Sequence, residues 1–302
     1  LEAIVDRHGR RPYCRRQGMG RRSKAHGFGA AETLDAAQLR PSVHPTYARL
    51  LVAELKRRGF SDADIFAESR TSWEQLLAED RLLSLERFRI IALRGMQLSG
   101  EEWLGLPAGR STQPSSHGPL GYAIVASPNV SAALRLIEKH SEIRLRVASF
   151  SVTEEGERIR LVVSDTAGWS DLREYISLHI AGAIAMMLEA ITGGPLPDTT
   201  FAFPFPRPAW SARCAEHLRG VRTDFDAASL VLDFPVSFAL APCITADSSA
   251  LEQALRLCER EEARHRSESD VAGRVLNHLL GCQDQYPTLH EMAKTLHMSE
   301  RT

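Results

Sequence analysis

The sequence predicts an α+β fold in which a helical subdomain precedes a mixed α/β domain, followed by the start of an all-α helix-turn-helix domain. Three observations lead to this prediction. Apolar residues repeat at helical spacing from His44 to Gly100. They alternate with polar residues in 158–163 and 230–240, as they do in strands. The last sixteen residues, 287–302, have the caps and apolar spacing of two helices joined by a tight turn.

Length and composition limit the class of protein. The chain has 302 residues, a net charge of −1 and 43% hydrophobic residues, which is enough for a large core and for two domains. No run of eighteen apolar residues and no apolar signal segment is visible, so we expect a cytoplasmic protein without a membrane span. The five cysteines form no C-x-x-C pair, which argues against a zinc site or a disulfide framework and fits a reducing cytosol.

The first 41 residues lack apolar periodicity. Residues 1–27 carry eight Lys or Arg against two acids. Such a segment is either a basic arm that contacts DNA phosphates or a disordered extension. We favour the extension, and we place the first domain boundary at residue 42.

The helical subdomain runs from about 42 to 106. Tyr47, Leu51 and Leu55 form an apolar stripe that ends near Gly59, a C-cap candidate. Three further helices are predicted to begin at the N-cap candidates Ser61, Ser72 and Ser84, the last of them closed by Gly100. The polar, Pro- and Ser-rich stretch 107–117 is predicted to be a connector.

The mixed part begins with 118–126, which is ambiguous between helix and strand, and continues with a helix capped by Asn129. Residues 144–152 and 158–163 are predicted to form a hairpin, with a bulge where the first strand changes phase. Asp171–Ile191 is the most periodic helix, and Gly193 ends it.

Beyond Gly193 we expect a short strand at 201–205 and a helix at 208–218. Because Pro235 interrupts the alternation of 230–240, that run is expected to be an edge strand or two short strands. An amphipathic helix at 247–266 then passes into a charged run, either an interdomain linker or the end of a solvated helix. The helix expected around Val271–Leu279 opens the C-terminal domain.

Few residues suggest a chemical site. No catalytic or metal-binding motif is present, so we expect no enzyme activity, no metal and no cofactor. His179 lies on an apolar stripe and is interpreted as a core histidine with one hydrogen bond. Trp169, Tyr175 and Trp210 are able to line a small-molecule pocket, but we favour a core role for them. Cys243 is expected to be buried and inert.

The C-terminal stretch has the most specific pattern. Thr288 is an N-cap with Glu291 completing a capping box, and Ser299 is an N-cap candidate for a second helix. The string L-x-E-M-A-x-x-L-H-M-S-x-R-T resembles the first helix-turn-helix of the AraC/XylS family of bacterial transcription regulators. It matches about the first third of that family's DNA-binding domain, and the chain stops there, as a C-terminally truncated member would. An ordinary helical hairpin has similar caps.

Residues 45–245 are similar to the arabinose-binding-type effector domain of one subgroup of that family. The similarity rests on G-P-L-G-Y, on the helix N-V-S-A-A-L-R and on the pattern P-x-P-x-P-x-W with a later L-x-F-P. It implies an effector-binding and dimerisation domain at 42–265 and a helix-turn-helix domain from 268 to 302. It names no ligand, and the residues that bind the effector are not predicted.

The implied partners are operator DNA, bound through the complete C-terminal domain, an unidentified small-molecule effector, a second copy of the chain, and RNA polymerase. The implied DNA-binding residues are Ser299 on a phosphate, Arg301 on a base edge, most naturally guanine, and Thr302 beside it. The alternative function is a small-molecule-binding protein or an enzyme whose C-terminal helical hairpin is only structural.

Overall fold

The structure, a computed structural model, describes residues 40–67, 69, 71–268, 275, 287–296 and 298–301. The basic segment 1–27 and Thr302 lie outside the described residues, as does Val271–Leu279 except for Val275. The described residues fall within one compact unit, Asp35–Thr302. The domain boundaries at 42 and 265–268 therefore stay predictions.

The N-terminal part is helical, and its local caps form as predicted. The Ser61 and Ser72 side chains each make a capping box, with Asp64 and Gln75, and Gly100 ends the longest helix in a left-handed conformation. The strand β1 at the start of this part pairs antiparallel with β2, which directly precedes its last helix. The elements are β1 (Pro41–Val43), α1 (Pro45–Arg57), α2 (Asp62–Ile65), α3 (Trp73–Ala78), β2 (Leu83–Ser84) and α4 (Leu85–Ser99).

The connector predicted at 107–117 is wrong. Helix α5 (Gly105–Arg110) and a 3-10 turn (Pro114–His117) occupy this stretch. Pro107 is tolerated because it lies in the first turn of α5, where backbone N–H groups have no helical partner. The small residues Gly105 and Gly109 let α5 lie directly on a neighbouring backbone, so packing decided a conformation that the composition did not indicate.

The ambiguous stretch 118–126 is helical, as α6 (Pro119–Val125), and α7 (Val130–His140) follows. The Asn129 side chain accepts a hydrogen bond from the Ala132 N–H at 2.8 Å, which confirms the predicted cap. A 3-10 turn, Ser141–Ile143, follows α7 directly and leads to Arg144. Arg144 therefore lies before the first strand of the sheet and not within it.

Five strands form one sheet in the order β3-β4-β7-β5-β6. The β3–β4 hairpin is confirmed, but its register runs unbroken from Ala148↔Asp165 to Glu155↔Arg158. The predicted bulge is therefore wrong: the phase change falls at Val147, before the strand starts. The strands are β3 (Ala148–Glu155), β4 (Arg158–Asp165), β5 (Thr200–Ala202), β6 (Arg222–Asp224) and β7 (Leu230–Pro235).

Strand β7 lies between β4 and β5, so the predicted edge strand is wrong. Pro235 is its last residue, where a missing N–H interrupts no ladder bond. The rest of the alternating run turns into α10 (Val236–Ala239), and the predicted helix at 208–218 shortens to a 3-10 turn and α9 (Cys214–His217). The overall class, α+β, is confirmed.

Helix α8 (Arg173–Thr192) crosses the core and ends at Gly193, which has the left-handed conformation expected of a C-cap. Among the described residues, the segment Ser170–Thr192 alone has the length and apolar composition of a membrane span, and 78% of its most apolar window is buried inside the protein. That burial is the behaviour of a core helix. One side of α8 lies directly on α5. The approach is so close that a side chain on Gly182 would come within 2.7 Å of the Leu106 carbonyl oxygen.

Two helices complete the described chain. Helix α11 (Ser248–Glu268) is continuous through the start of the charged run, which agrees with the end of a solvated helix. Helix α12 (Leu289–Thr295) begins at the predicted Thr288–Glu291 capping box. Met292 and Ala293 are buried, whereas Leu289 of the same predicted stripe is 65% exposed.

Candidate ligand-binding site

A cavity of about 70 Å³ lies beside α8, enclosed by α1, α4, α6, α7 and the segment that leads into β3. Its walls are mostly aliphatic and aromatic. The lining residues are Val43, Tyr47, Leu85, Phe88, His117, Leu120, Ile124, Ile137, Ser141, Arg144, Leu145, Val147, Phe150, Tyr175, Ile176, His179, Ile180, Ala183, Ile184 and Met187.

Helix α8 supplies one wall because its residues repeat at helical spacing. Tyr175, His179, Ala183 and Met187 follow one another every fourth position, so they lie on one face. The opposite face is covered by α5, whose backbone lies against Gly182 so closely that no side chain fits between them. The periodic helix that the sequence indicated is therefore one that presents a single face to a cavity.

Three polar side chains meet at one end of the cavity. The Tyr47 hydroxyl lies 2.9 Å from Nδ1 of His117, and both residues are buried. The guanidinium of Arg144 lies close enough to the Tyr47 hydroxyl to affect its ionisation. Because a guanidinium only donates, we assign the Tyr47 proton to Nδ1 of His117. The remaining proton of the neutral His117 ring is then on Nε2, which has no partner among the described residues.

Arg144 is held in place by its backbone and by one side-chain contact. Its carbonyl oxygen accepts a hydrogen bond from the His44 N–H at 2.9 Å, and its own N–H donates to the Ser141 carbonyl. One terminal nitrogen donates to the Ser116 carbonyl oxygen at 2.7 Å. Gly118 leaves room for the guanidinium, since a side chain there would come within 3.2 Å of it.

The charge of Arg144 is not neutralised by the part of the chain that the structure describes. The residue is 7% exposed, its Nε atom has no hydrogen-bond partner there, and no described carboxylate lies within ion-pair distance. A buried charge without a counter-charge is costly. Such a group is therefore a candidate for binding an anion.

A second polar pair lies on α8. The rings of Tyr175 and His179 stack with centroids 6.0 Å apart, and His179 meets Tyr47 edge-on at 5.6 Å. Both ring nitrogens of His179 lack a hydrogen-bond partner among the described residues. The Tyr175 hydroxyl also lacks one. The prediction of a core histidine with one hydrogen bond is correct about burial and wrong about the bond.

Burial keeps the two cavity histidines neutral. It lowers the pKa of His179 to about 4. It also lowers the pKa of His117 to about 3, and the charges of Arg144 and His179 act in the same direction. Burial raises the pKa of Tyr47 to about 12, against the opposing effect of Arg144. At neutral pH, Arg144 is therefore the charged group among the described residues that line the cavity.

The other residues singled out in the sequence divide between core and surface. Trp169 is a core residue whose Nε1 donates to the Val147 carbonyl oxygen at 2.6 Å. Tyr175 is a core residue that also lines the cavity, and its role in a small-molecule site stays a prediction. Trp210 is half-buried and packs on Phe205, away from the cavity. Cys243 is buried, as expected, and burial raises its pKa.

The predicted DNA-binding residues lie on the surface after α12. Ser299 and Arg301 are exposed, and Arg301 is in a turn. The Met298 N–H donates to the Ala293 carbonyl oxygen at 2.9 Å, which closes the corner after the helix. Glu300 pairs with His290 of α12, with 2.7 Å between Oε1 and Nδ1. These contacts fit the first helix and turn of the predicted motif, while the roles of Ser299, Arg301 and Thr302 stay predictions.

Sequence reasoning missed Tyr47, His117 and Arg144. Tyr47 was taken only as part of an apolar stripe, and Arg144 was assigned to a strand. The sequence offered no clear signal for Arg144, because charged and apolar residues alternate from Glu142 to Val147 as they would in a strand. Their joint position depends on tertiary contacts between segments far apart in the chain.

Comparison with known proteins defines the class. The family model described as the arabinose-binding domain of AraC transcription regulators, N-terminal, matches residues 59–243, more than half of the chain. The chain belongs to this family. It is a ligand-responsive transcription regulator of AraC type, whose family implies DNA binding. The alternative of an enzyme or binding protein with a structural hairpin finds no support in the comparisons.

Particular relatives agree with this class. The ornithine utilization regulator of Pseudomonas aeruginosa is 27% identical over 267 residues, which cover 85% of this chain and 75% of that protein. The crystal structure of transcriptional regulator CdpR, also from Pseudomonas aeruginosa, has a TM-score of 0.53 at 21% identity. The overlay covers 85% of this chain and 76% of CdpR. This second likeness is one of fold.

Proposed function

We propose that the cavity beside α8 is the effector site of this regulator. The observation that supports the proposal is a buried apolar cavity with several polar atoms that lack partners among the described residues: His117 Nε2, both His179 ring nitrogens and the Tyr175 hydroxyl. Unpaired buried polar atoms cost about 1–3 kcal/mol each. A ligand that pairs with them recovers part of that cost, and its orientation is then fixed by the same atoms.

We further propose the division of labour that the family implies. Residues 42–265 bind the effector and self-associate as a homodimer, and residues from 268 begin the domain that reads operator DNA. Ser299 caps the recognition helix and contacts a phosphate, while Arg301 and Thr302 approach base edges. The protein acts in the cytoplasm, contacts RNA polymerase and has no enzyme activity of its own.

The segment 269–302 has three Lys or Arg against four acids, so it offers little affinity for phosphates. Operator binding by the gene product that contains this chain is therefore expected to depend on basic residues outside 269–302. Ornithine is one compound to test as an effector, because the curated relative is named for its utilization.

The proposal is tested by filling the cavity. Ala183 is buried and lines the cavity on α8, so Ala183→Leu places three more carbon atoms in the ligand space. The matched control is Ala190→Leu, the same change at an exposed position of the same helix. A transcription reporter that is controlled by the regulator containing this chain is assayed with a panel of small metabolites. Thermal melting of each variant then checks that it folds.

We expect Ala183→Leu to abolish the response to the inducing compound and Ala190→Leu to preserve it. An unchanged response in a folded Ala183→Leu variant would place the effector site elsewhere.

A further inference from the structure

The cavity has one fixed positive charge. Of the described residues that line it, Arg144 is the only Lys or Arg, no Asp or Glu is present, and the two histidines are neutral at pH 7. The structure thus places a buried guanidinium against an apolar space without a protein counter-charge. The missing negative charge is most simply supplied by the molecule that fills the space.

We propose that the cavity binds a small monocarboxylic acid with an apolar body, its carboxylate paired with Arg144. This inference rests on the proposed function, because it names the chemical class of the effector. A planar guanidinium matches a carboxylate in a two-point hydrogen-bonded pair, and the Nε atom that one such pair would use has no partner among the described residues.

Two polar groups in the wall of the cavity that lack partners within the described part of the chain are donors, which is the kind of group that a carboxylate accepts hydrogen bonds from. The Tyr47 proton is directed to Nδ1 of His117, so His117 Nε2 is a donor. The Tyr175 hydroxyl is a second donor without a partner among the described residues. Both are neutral donors in the wall of the cavity, so they can hydrogen-bond polar groups of a ligand without adding charge. One negative charge therefore balances the cavity, and two would not.

The remaining walls specify the body of the ligand. Phe88, Leu120 and Ile124 line the cavity from α4 and α6, and Ile180, Ile184 and Met187 line it from α8. An alkyl chain or an aromatic ring gains about 25 cal/mol per Å² of apolar surface that such walls remove from water. A diamino acid is disfavoured, since its ammonium groups would be buried with no carboxylate of the described residues to accept them.

Inorganic phosphate is disfavoured for the complementary reason. It has no apolar body, and near neutral pH it carries more charge than one arginine neutralises. The same walls that favour an acid with a hydrocarbon body therefore oppose the entry of a small, strongly hydrated anion.

The test uses the chain of residues 1–302 and measures dissociation constants by isothermal titration calorimetry. The probes are butanoate for an aliphatic body, benzoate for an aromatic body, butanamide as the neutral counterpart of butanoate, ornithine and inorganic phosphate. We expect at least one of the two acids to bind, and butanoate to bind at least tenfold more tightly than butanamide if the body is aliphatic. If the body is aromatic, benzoate is compared with benzamide in the same way.

Two variants locate the charge. Arg144→Met and Arg144→Gln are expected to weaken binding of the acid on the order of 100-fold, since a buried charged pair is lost. Arg146→Gln is the matched control: it removes an arginine two residues away, whose Nε faces the exposed Glu142 carbonyl and which does not line the cavity. The affinity of the Arg146→Gln variant for the acid is expected to stay within about twofold of the affinity of the unaltered chain.

The comparison of acid with amide uses the unaltered chain, so the proposal remains falsifiable even if neither Arg144 variant folds. The proposal is overturned if the amide binds as tightly as its acid, if a folded Arg144 variant retains the affinity, or if none of the acids binds. Should ornithine or a neutral compound bind instead, and Ala183→Leu abolish that binding, the cavity remains the effector site and only the acid class is rejected.

Discussion

The Nδ1 atom of His140 lies 2.6 Å from the Oε1 atom of Glu262 and joins the end of α7 to α11. His140 is 1% exposed, and the next residue, Ser141, lines the cavity. Helix α11 is the last long helix described before the helix-turn-helix segment. Because Ser141 follows His140 directly, this contact ties the wall of the cavity to α11.

Removing this contact is expected to destabilise the protein. In Glu262→Ala, both ring nitrogens of His140 would lack a partner among the described residues, because Nε2 already has none. We expect the free energy of unfolding to fall by about 1–3 kcal/mol, the cost of an unsatisfied buried polar group. Urea unfolding measures it, with Glu259→Ala at an exposed position of α11 as the control. Equal stability of the two variants would show that the contact contributes nothing.

Stability is also expected to depend on pH through the cavity histidines. The folded-state pKa of His179 is about 4, below the unfolded value of about 6.5, so below pH 6.5 the unfolded chain binds a proton that the folded chain does not. The free energy of unfolding should therefore be fully retained above pH 6.5. It should decline by about 1.4 kcal/mol per pH unit for this residue as the pH falls toward 4.

The measurement is urea unfolding of the wild type and of His179→Leu at pH 7, 6 and 5. We expect the free energy of unfolding of His179→Leu to depend less on pH than that of the wild type. The control His290→Asn removes an exposed ring and should keep the pH dependence of the wild type. If the free energy of unfolding changed equally with pH in the wild type and in His179→Leu, the lowered pKa of His179 would be contradicted.

The packing of α5 on α8 gives a further prediction. Alanine is favoured over glycine inside a helix by about 1 kcal/mol, yet a side chain on Gly182 would lie 2.7 Å from the Leu106 carbonyl oxygen. Overpacking costs about 1–3 kcal/mol, so we expect Gly182→Ala to lower the melting temperature. Gly194→Ala meets open space and should change stability by less than about 0.5 kcal/mol. A stabilised Gly182→Ala variant would show that the two helices separate easily.

The proposed base contact is testable in the complete gene product. We expect Arg301→Ala to weaken operator binding by about 1–3 kcal/mol and to relax specificity at one base position. Binding to a set of operators with single base changes, at fixed salt, separates the two effects. An equal loss on every sequence would mean that Arg301 contacts only a phosphate.

Local signals were predictable from the sequence, and non-local ones were not. The caps at Ser61, Ser72 and Thr288 were correct because each depends on residues three positions apart. Helix α5 was missed because its conformation depends on backbone packing against α8. Strand β7 was misplaced because Pro235 was read as an edge signal, although it lies at the strand's end.

The candidate site shows the same division. Tyr175 and His179 were noticed because they belong to a strongly periodic helix. Tyr47 and His117 are 70 positions apart, and Arg144 lies on a third segment, so only the folded chain brings them together. No spacing rule relates these three positions, and the absence of a counter-charge near Arg144 is a property of the tertiary structure alone.

Under the proposed function, the glycine contact between α5 and α8 also restricts how this regulator can acquire new inducers. Because the backbone behind α8 has no room to retreat, a bulkier compound has to be accommodated by shortening side chains on the facing helices, at positions such as Phe88, Leu120 and Ile124. Under the proposed function, substitutions on that side would change the range of inducers and leave the contact between α5 and α8 intact.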